Sequence, residues 1–141
     1  MAAALWIALG GAIGSLARHW TGLLMASFSR FLPWGTILVN TSGSFVIAFC
    51  GALTLTQARF PVSENIRLFI MVGFCGGFTT FSSFSLQTFE LIRHGGLLRA
   101  LANIALSIIL CLAAAAFGYY TAQCLNGKPV IITQTEIEEQ S

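Results

Sequence analysis

The feature that most constrains this chain is a run of small and polar residues inside an apolar segment. The segment extends from Ile66 to Ile92, and residues 73–87 within it read GFCGGFTTFSSFSLQ. This run offers a glycine pair, Gly76 and Gly77, followed by five hydroxyl side chains. Glycine loosens a helix, and nearby hydroxyls can satisfy the freed N–H groups. We therefore expect a helix broken at mid-membrane near the glycine pair, where it is buried in protein or lines a wet cavity.

The composition is that of an integral membrane protein. Of 141 residues, 56% are hydrophobic and 9% are charged, whereas charged residues make up about a quarter of a soluble domain. The net charge of +2 comes without a run of Lys or Arg, so we expect no nucleic-acid partner. The four cysteines lack CxxC spacing, which favours buried thiols over disulfides or a metal site.

Four apolar stretches are long enough to span a bilayer, which takes roughly 20 residues. They cover about residues 4–26, 35–57, 66–92 and 97–124. We predict an all-α membrane protein whose residues 1–126 form a four-helix transmembrane domain. Residues 127–141 are polar and acidic, and we predict a disordered tail there.

The first span carries a GxxxG motif and an arginine. Gly10 and Gly14 are small residues at helical spacing, which favours close helix contact. Arg18 lies one turn further along the same stripe. It either snorkels to the interface beside His19 and Trp20 or acts as a vestibule cation that draws in anions.

The second span has a small and polar stripe, which predicts a face turned to protein or water. Asn40 on this stripe either bonds to a neighbouring helix or donates hydrogen bonds inside a pore. The stripe consists of Thr36, Asn40, Gly43, Ile47 and Gly51.

Past the expected break, hydroxyls and an amide share one helical arc, flanked by two rings. The hydroxyls can bond back to carbonyls four residues earlier, or they can form a ladder of donors. The electropositive edge of a phenylalanine ring can also contact an anion. In the fourth span, Ser107 and Cys111 would line a pore only if that helix is turned toward it. The arc consists of Thr79, Thr80, Ser83 and Gln87, and its rings are Phe81 and Phe84.

The residues exclude several functions. The chain has no Asp, Glu90 is the one Glu within a span, and its two His lie at loop edges, so no enzyme site can be assembled. A small multidrug-type transporter is a four-span alternative, but a proton-coupled one needs an ionisable group at mid-membrane. We find none in the sequence, which argues against this class. Neutral donors instead suit a path for a small anion. The other alternative is a non-transporting membrane assembly protein, whose glycines and hydroxyls serve only helix packing.

The break also offers a cation site. The first half-helix ends in carbonyls with partial negative charge, so carbonyls between Gly76 and Thr79 could hold sodium. One chain supplies too few oxygens, and two copies meeting there would complete the shell.

Basic residues are nearly balanced between the two sides of the membrane, so insertion in both orientations is plausible. Three lie on the side of the N-terminus and four on the other: Arg59, Arg67 and Lys128 against Arg18, Arg30, Arg93 and Arg99.

Three motifs resemble those of the Fluc (CrcB) fluoride channels of bacteria. They are GFCGGFTTFSSFS at residues 73–85, WGTILVN at 34–40 and GxxGSLAR at 11–18. The resemblance covers all four spans. It implies a fluoride-exporting channel in the bacterial inner membrane, built as an antiparallel, dual-topology homodimer with two pores and a central structural sodium ion.

The resemblance also implies roles for individual residues. The fluoride pore would comprise Asn40, Phe81, Phe84, Thr80, Ser83 and the entrance residue Arg18. Main-chain oxygens of Gly76 and Thr79 would bind sodium. The chain departs from the family pattern at Gln87, where many members carry Glu, at Cys111, which replaces a Ser, and in its acidic tail.

Overall fold

The computed structural model describes residues 2–54 and 60–127, and all regular secondary structure in them is helical. Arg59 and the tail from residue 128 onward lie outside the described residues, so the expected disorder stays a prediction. The third helix, α3, is continuous from residue 64 to residue 78. It is α-helical at Glu64–Arg67, π-helical at Leu68–Cys75 and α-helical again at Gly76–Phe78. The helices are α1 (Ala2–Met25), α2 (Trp34–Leu53), α3 (residues 64–78), α4 (Phe81–Arg93) and α5 (Leu97–Asn126).

Three stretches of the described chain are helical, long enough and apolar enough to cross a membrane. They are Trp34–Leu53, Glu64–Arg93 and Leu97–Asn126. These confirm three of the four predicted spans and the class of multi-pass, all-helical membrane protein. The first helix, Ala2–Met25, forms where it was predicted but is not among the three. It carries Arg18 and His19 in its second half.

Proline and glycine residues set the helix ends. Pro33 immediately precedes α2, where its missing N–H costs no helical hydrogen bond. Gly95, at φ 74°, turns the chain between α4 and α5. Gly127 follows α5 at φ 69° and donates its N–H to the Gln123 carbonyl, which is a glycine C-cap.

The helix in the third span is broken, but the position of the break corrects the prediction. Gly76 and Gly77 are helical, and the break lies just after them at Thr79 and Thr80. Thr79 has ψ 158° and Thr80 has φ −154° and ψ 110°, both extended conformations. The glycine pair is therefore not the hinge, because the chain leaves the helix only after Phe78.

Glycine instead lets α1 approach α3 closely. A Cβ added at Gly14 would collide with the Phe74 carbonyl, and one added at Gly10 would collide with the Phe69 carbonyl. Gly77 faces the Gly11 backbone in the same way. This confirms the close contact predicted from GxxxG and identifies its partner as α3.

The helices pack as two pairs. α1 lies mainly against α3, and α2 lies mainly against α5, while α2 also touches α1 and α3. Gly118 permits the second pairing, since a Cβ there would press on the Phe45 carbonyl. α4 has fewer neighbours: it packs on α5 and touches α2.

Candidate functional site

Asn40 joins α2 to the helix break. Its Oδ1 accepts a hydrogen bond from the Thr80 N–H at 2.7 Å, and its Nδ2 donates to the Thr80 carbonyl at 3.1 Å. Because one partner can only donate and the other can only accept, the pair fixes the orientation of the amide. Asn40 therefore bonds to a neighbouring helix, which is one of the two roles expected from the sequence. An NH₂ group has two protons, so the second remains for a ligand.

Thr80 begins α4 as its N-cap. Its hydroxyl accepts from the Ser83 N–H at 3.1 Å and donates to the Ser83 hydroxyl at 3.0 Å. The Ser82 hydroxyl lies 3.2 Å away. A threonine cap satisfies a backbone donor that the break leaves without a helical partner. The Ser83 hydroxyl accepts from Thr80, so its own proton can be donated to a ligand.

Other hydroxyls follow the alternative interpretation and bond back along their own helix. Thr79 donates to the Cys75 carbonyl at 2.9 Å, and Thr88 donates to the Phe84 carbonyl at 2.7 Å. Their protons are thus committed to backbone. Of the donor ladder expected from the sequence, Thr79 is therefore lost, while Ser83 and the Gln87 amide remain as donors.

The carbonyls at the break have the chemistry that a small cation requires. The N–H of Thr80 bonds to Asn40 rather than to the Gly76 carbonyl four residues earlier. The Thr79 carbonyl accepts a long bond of 3.3 Å from Arg18 Nη1, and a carbonyl oxygen has a second lone pair. Gly76 is exposed on this chain and Thr79 is half-buried, so the sodium site expected at these oxygens stays a prediction.

Phe81 and Phe84 form a ring pair at the start of α4. Their centroids are 5.5 Å apart at an interplanar angle of 44°. Phe81 is 79% exposed, and Phe84 is half-buried. The rings are thus tilted against each other rather than stacked, and the electropositive edge of an exposed ring can contact an anion.

Two cavities lie at the break and share one lining residue. The first, here the basic cavity, is lined by residues that include Arg18, Arg30, Arg99, Glu90, Gln87, Ser83 and Thr80. The second, here the amide cavity, is lined by residues that include Asn40, Gly76, Thr79, Thr80, Phe81, Ser107 and Cys111. Thr80 lines both cavities, so the bond between Asn40 and the Thr80 backbone lies beside both of them.

The sequence-predicted residues divide between these cavities. Arg18 lies half-buried in the basic cavity and donates to the Thr79 carbonyl, and its role as a vestibule cation stays a prediction. Ser107 and Cys111 face the amide cavity, so α5 is turned as a pore lining would require. Phe84 lines neither cavity and contacts the site through Phe81.

One polar contact was missed by sequence reasoning. Asn103 on α5 is fully buried and donates from Nδ2 to the Thr88 hydroxyl at 2.8 Å. The two residues are on different helices, and Thr88 falls off the arc that the hydroxyl pattern had marked. A polar residue at a buried position of an apolar helix was the signal that could have found this contact.

The amide cavity offers hydrogen-bond donors without fixed charge. Among the described residues, its lining contains no Asp, Glu, Lys, Arg or His. The basic cavity, over the same part of the chain, supplies three guanidinium groups against the carboxylate of Glu90. An anion would thus be attracted at the first cavity and held by neutral groups at the second.

Known proteins resemble this chain over most of its length. A family model described as "CrcB-like protein, Camphor Resistance (CrcB)" matches residues 5–119. Among similar proteins, one from Methylobacterium radiotolerans is named fluoride-specific ion channel FluC and is 55% identical over 94% of this chain and 93% of its own. Proteins of the same name from Gluconobacter oxydans and Rhodospirillum rubrum are 54% and 45% identical, over 96% and 86% of this chain and 94% and 95% of their own lengths.

The relatives are named as ion channels, which confirms the prediction that this chain is not an enzyme. The matched region extends from α1 through α5 and contains both cavities. The resemblance inferred from the three motifs is likewise confirmed, and the chain belongs to the CrcB-like family.

Proposed function

We propose that this protein is a fluoride-selective ion channel that exports cytoplasmic fluoride down its electrochemical gradient across the bacterial inner membrane and so lowers fluoride toxicity. The observation that carries the proposal is at Thr80, which lines both a basic cavity and a cavity of neutral donors. The relatives named fluoride-specific ion channels support fluoride as the ion.

Each pore residue has a defined chemical task. Arg18 attracts the anion into the basic cavity, and Ser83 and Asn40 present the donors that replace part of its hydration shell. The Phe81 and Phe84 ring edges add electropositive contacts without a full charge. Because no cationic side chain of the described residues lines the amide cavity, the anion is held weakly enough to leave.

The protein works as a homodimer within the lipid bilayer. The amide cavity lies open on the surface of a single chain, and Phe81, Ser82 and Ser85 beside it are exposed. Hydroxyl groups, and carbonyl oxygens that accept fewer than two hydrogen bonds, are energetically unfavourable in contact with lipid. A second copy seated on this face would cover them and complete two equivalent pores.

The two copies are antiparallel, with dual topology. The balance of three basic residues against four gives insertion no preferred direction. In vesicles sealed around a cysteine-free variant that carries Ser141→Cys, an impermeant thiol reagent should label about half the protein from outside, given equal insertion both ways. Labelling of all or none of the cysteine from outside would contradict dual topology.

A structural sodium ion sits between the copies at the break. The main-chain oxygens of Gly76 and Thr79 from both chains would supply four ligands. The diversion of the Thr80 N–H to Asn40 supports this, since it leaves the Gly76 carbonyl in need of a partner.

Fluoride efflux from liposomes tests the function. A channel releases trapped fluoride, whereas a non-transporting assembly protein leaves it inside. A multidrug-type transporter would instead move an organic cation in exchange for protons. Efflux of fluoride without proton coupling supports the channel and excludes both alternatives.

A further inference from the structure

α4 carries both rings of the proposed pore yet has few packing partners. It lies on α5 and touches α2. Along Phe81–Arg93, Thr88 is the single buried residue. Within its own chain, α4 is therefore held by a small apolar interface together with specific polar contacts.

Two asparagines supply such contacts, one from each neighbouring helix. Asn40 on α2 holds the start of α4 at Thr80. Asn103 on α5 holds its middle at Thr88. The two points are eight residues apart, or roughly 12 Å along a helix. Phe84 lies midway between them.

The second contact continues to the backbone of Phe84. Asn103 Nδ2 donates to Thr88 Oγ1 at 2.8 Å, and Thr88 Oγ1 donates to the Phe84 carbonyl at 2.7 Å. A carbonyl only accepts, so the Thr88 proton is used there and Asn103 must be the donor to Thr88. The chain of bonds thus has one direction and fixes the amide orientation.

Core packing alone does not explain why position 103 carries an asparagine. Asn103 is 0% exposed, and its Oδ1 has no hydrogen-bond partner among the described residues. A buried acceptor without a partner is unfavourable. Leucine has the same branching and the same number of side-chain heavy atoms and avoids that cost, so the amide contributes something other than a well-packed core.

We propose that Asn103 is a positioning residue of the pore, which acts through Thr88 to fix the rotation of α4 and thereby the direction of the Phe84 ring edge. A helix held only at Thr80 can turn about its axis and swing from that end. Thr88 lies one turn from Phe84 on the same helix face, so a bond there sets where Phe84 points. This inference rests on the proposed fluoride function.

Fluoride efflux from liposomes distinguishes the effect of the hydrogen bond between Asn103 and Thr88 from the effect of side-chain size. Asn103→Leu and Thr88→Val each remove the bond between the helices, and each should lower fluoride efflux about fivefold to tenfold, the equivalent of one lost hydrogen bond. Thr88→Ser keeps the hydroxyl and should retain efflux near the wild-type rate. The matched control is Thr121→Val, which removes a bond from a threonine to the carbonyl four residues earlier on α5, away from both cavities.

A double-variant comparison tests whether the effect passes through the Phe84 ring. In a Phe84→Ile background the ring edge is already gone, so adding Asn103→Leu should lower efflux little further. If Asn103→Leu lowers efflux by the same factor in both backgrounds, the residue acts independently of Phe84 and the inference is wrong.

Amide hydrogen exchange gives a readout that does not need transport. Asn103→Leu and Thr88→Val should accelerate exchange in α4 and leave α2 at its wild-type rate. Unchanged exchange in α4 would overturn the inference even if fluoride efflux by the wild type is confirmed. Absence of wild-type efflux would instead refute the proposed function. Should Asn103→Leu fail to fold, the comparison of Thr88→Val with Thr88→Ser decides the same question.

Discussion

Asn40 binds both backbone groups of Thr80, with Oδ1 2.7 Å from the Thr80 nitrogen and Nδ2 3.1 Å from its carbonyl oxygen. The side-chain amide thus takes the place of a neighbouring peptide group and closes the gap that the broken helix leaves. The same contact diverts the Thr80 N–H away from the Gly76 carbonyl. One residue therefore stabilises the break, presents a donor to the amide cavity and exposes the carbonyl that we propose for sodium.

Replacing Asn40 with aspartate should abolish fluoride efflux while the dimer still forms. Asn40→Asp keeps an oxygen for the Thr80 N–H but loses the NH₂ donor, and an ionised carboxylate would repel the anion. Liposome efflux beside a size-exclusion profile measures this. Asn126→Asp is the control, because Asn126 also donates to a backbone carbonyl, that of Ala52, but lines neither cavity. Wild-type efflux in Asn40→Asp would contradict the assignment.

The ring edges can be removed without removing the apolar side chain. Phe81→Ile and Phe84→Ile should reduce fluoride efflux strongly, whereas a structural phenylalanine would lose only roughly 1 to 1.5 kcal/mol of packing. Phe89→Ile, on the same helix and exposed, serves as the control and should behave as wild type. Equal efflux in all three variants would reject a role for the rings.

The close contact between α1 and α3 predicts a sharp difference between two glycines of α1. Gly14→Ala forces a Cβ against the Phe74 carbonyl and should lower stability by about 1–3 kcal/mol. A Cβ added at Gly22 would have no other atom within 4 Å, and alanine favours a helix by about 1 kcal/mol over glycine. Thermal unfolding in detergent should thus show a lower Tm only for Gly14→Ala. Equal melting temperatures would argue against this packing.

Sodium removal should destabilise the assembled protein. A cation held by carbonyls of both copies binds the folded dimer and not the unfolded chain, so its loss lowers the Tm. Exchange into sodium-free buffer should lower both Tm and efflux, and added NaCl should restore them better than LiCl or KCl. Unchanged values after dialysis long enough to release a slowly exchanging ion would count against the site.

Much of the fold follows from the local pattern of the sequence. Helix ends at Pro33, Gly95 and Gly127 follow from backbone chemistry that each residue carries with it. The polar stripe of α2 was also predictable, since Thr36 and Asn40 share a helix face whatever lies opposite. Both were found facing cavities.

The position of the break could not be predicted in the same way. Gly77 is used for contact with α1, and Asn40 on another helix selects Thr80 as the residue that leaves the helix. The link between Asn103 and Thr88 is likewise a contact between two helices. Such choices depend on what a neighbouring element offers, and a single sequence does not show which elements become neighbours.

The most direct test of the central claim is fluoride efflux from liposomes containing the wild-type protein, followed with a fluoride-selective electrode. Potassium fluoride is trapped inside, and valinomycin releases the balancing potassium. We expect fluoride to leave much faster than from protein-free liposomes, with no comparable release of chloride from matched vesicles loaded with potassium chloride. Fluoride retention equal to that of protein-free liposomes, or equal release of both halides, would contradict a fluoride-selective channel.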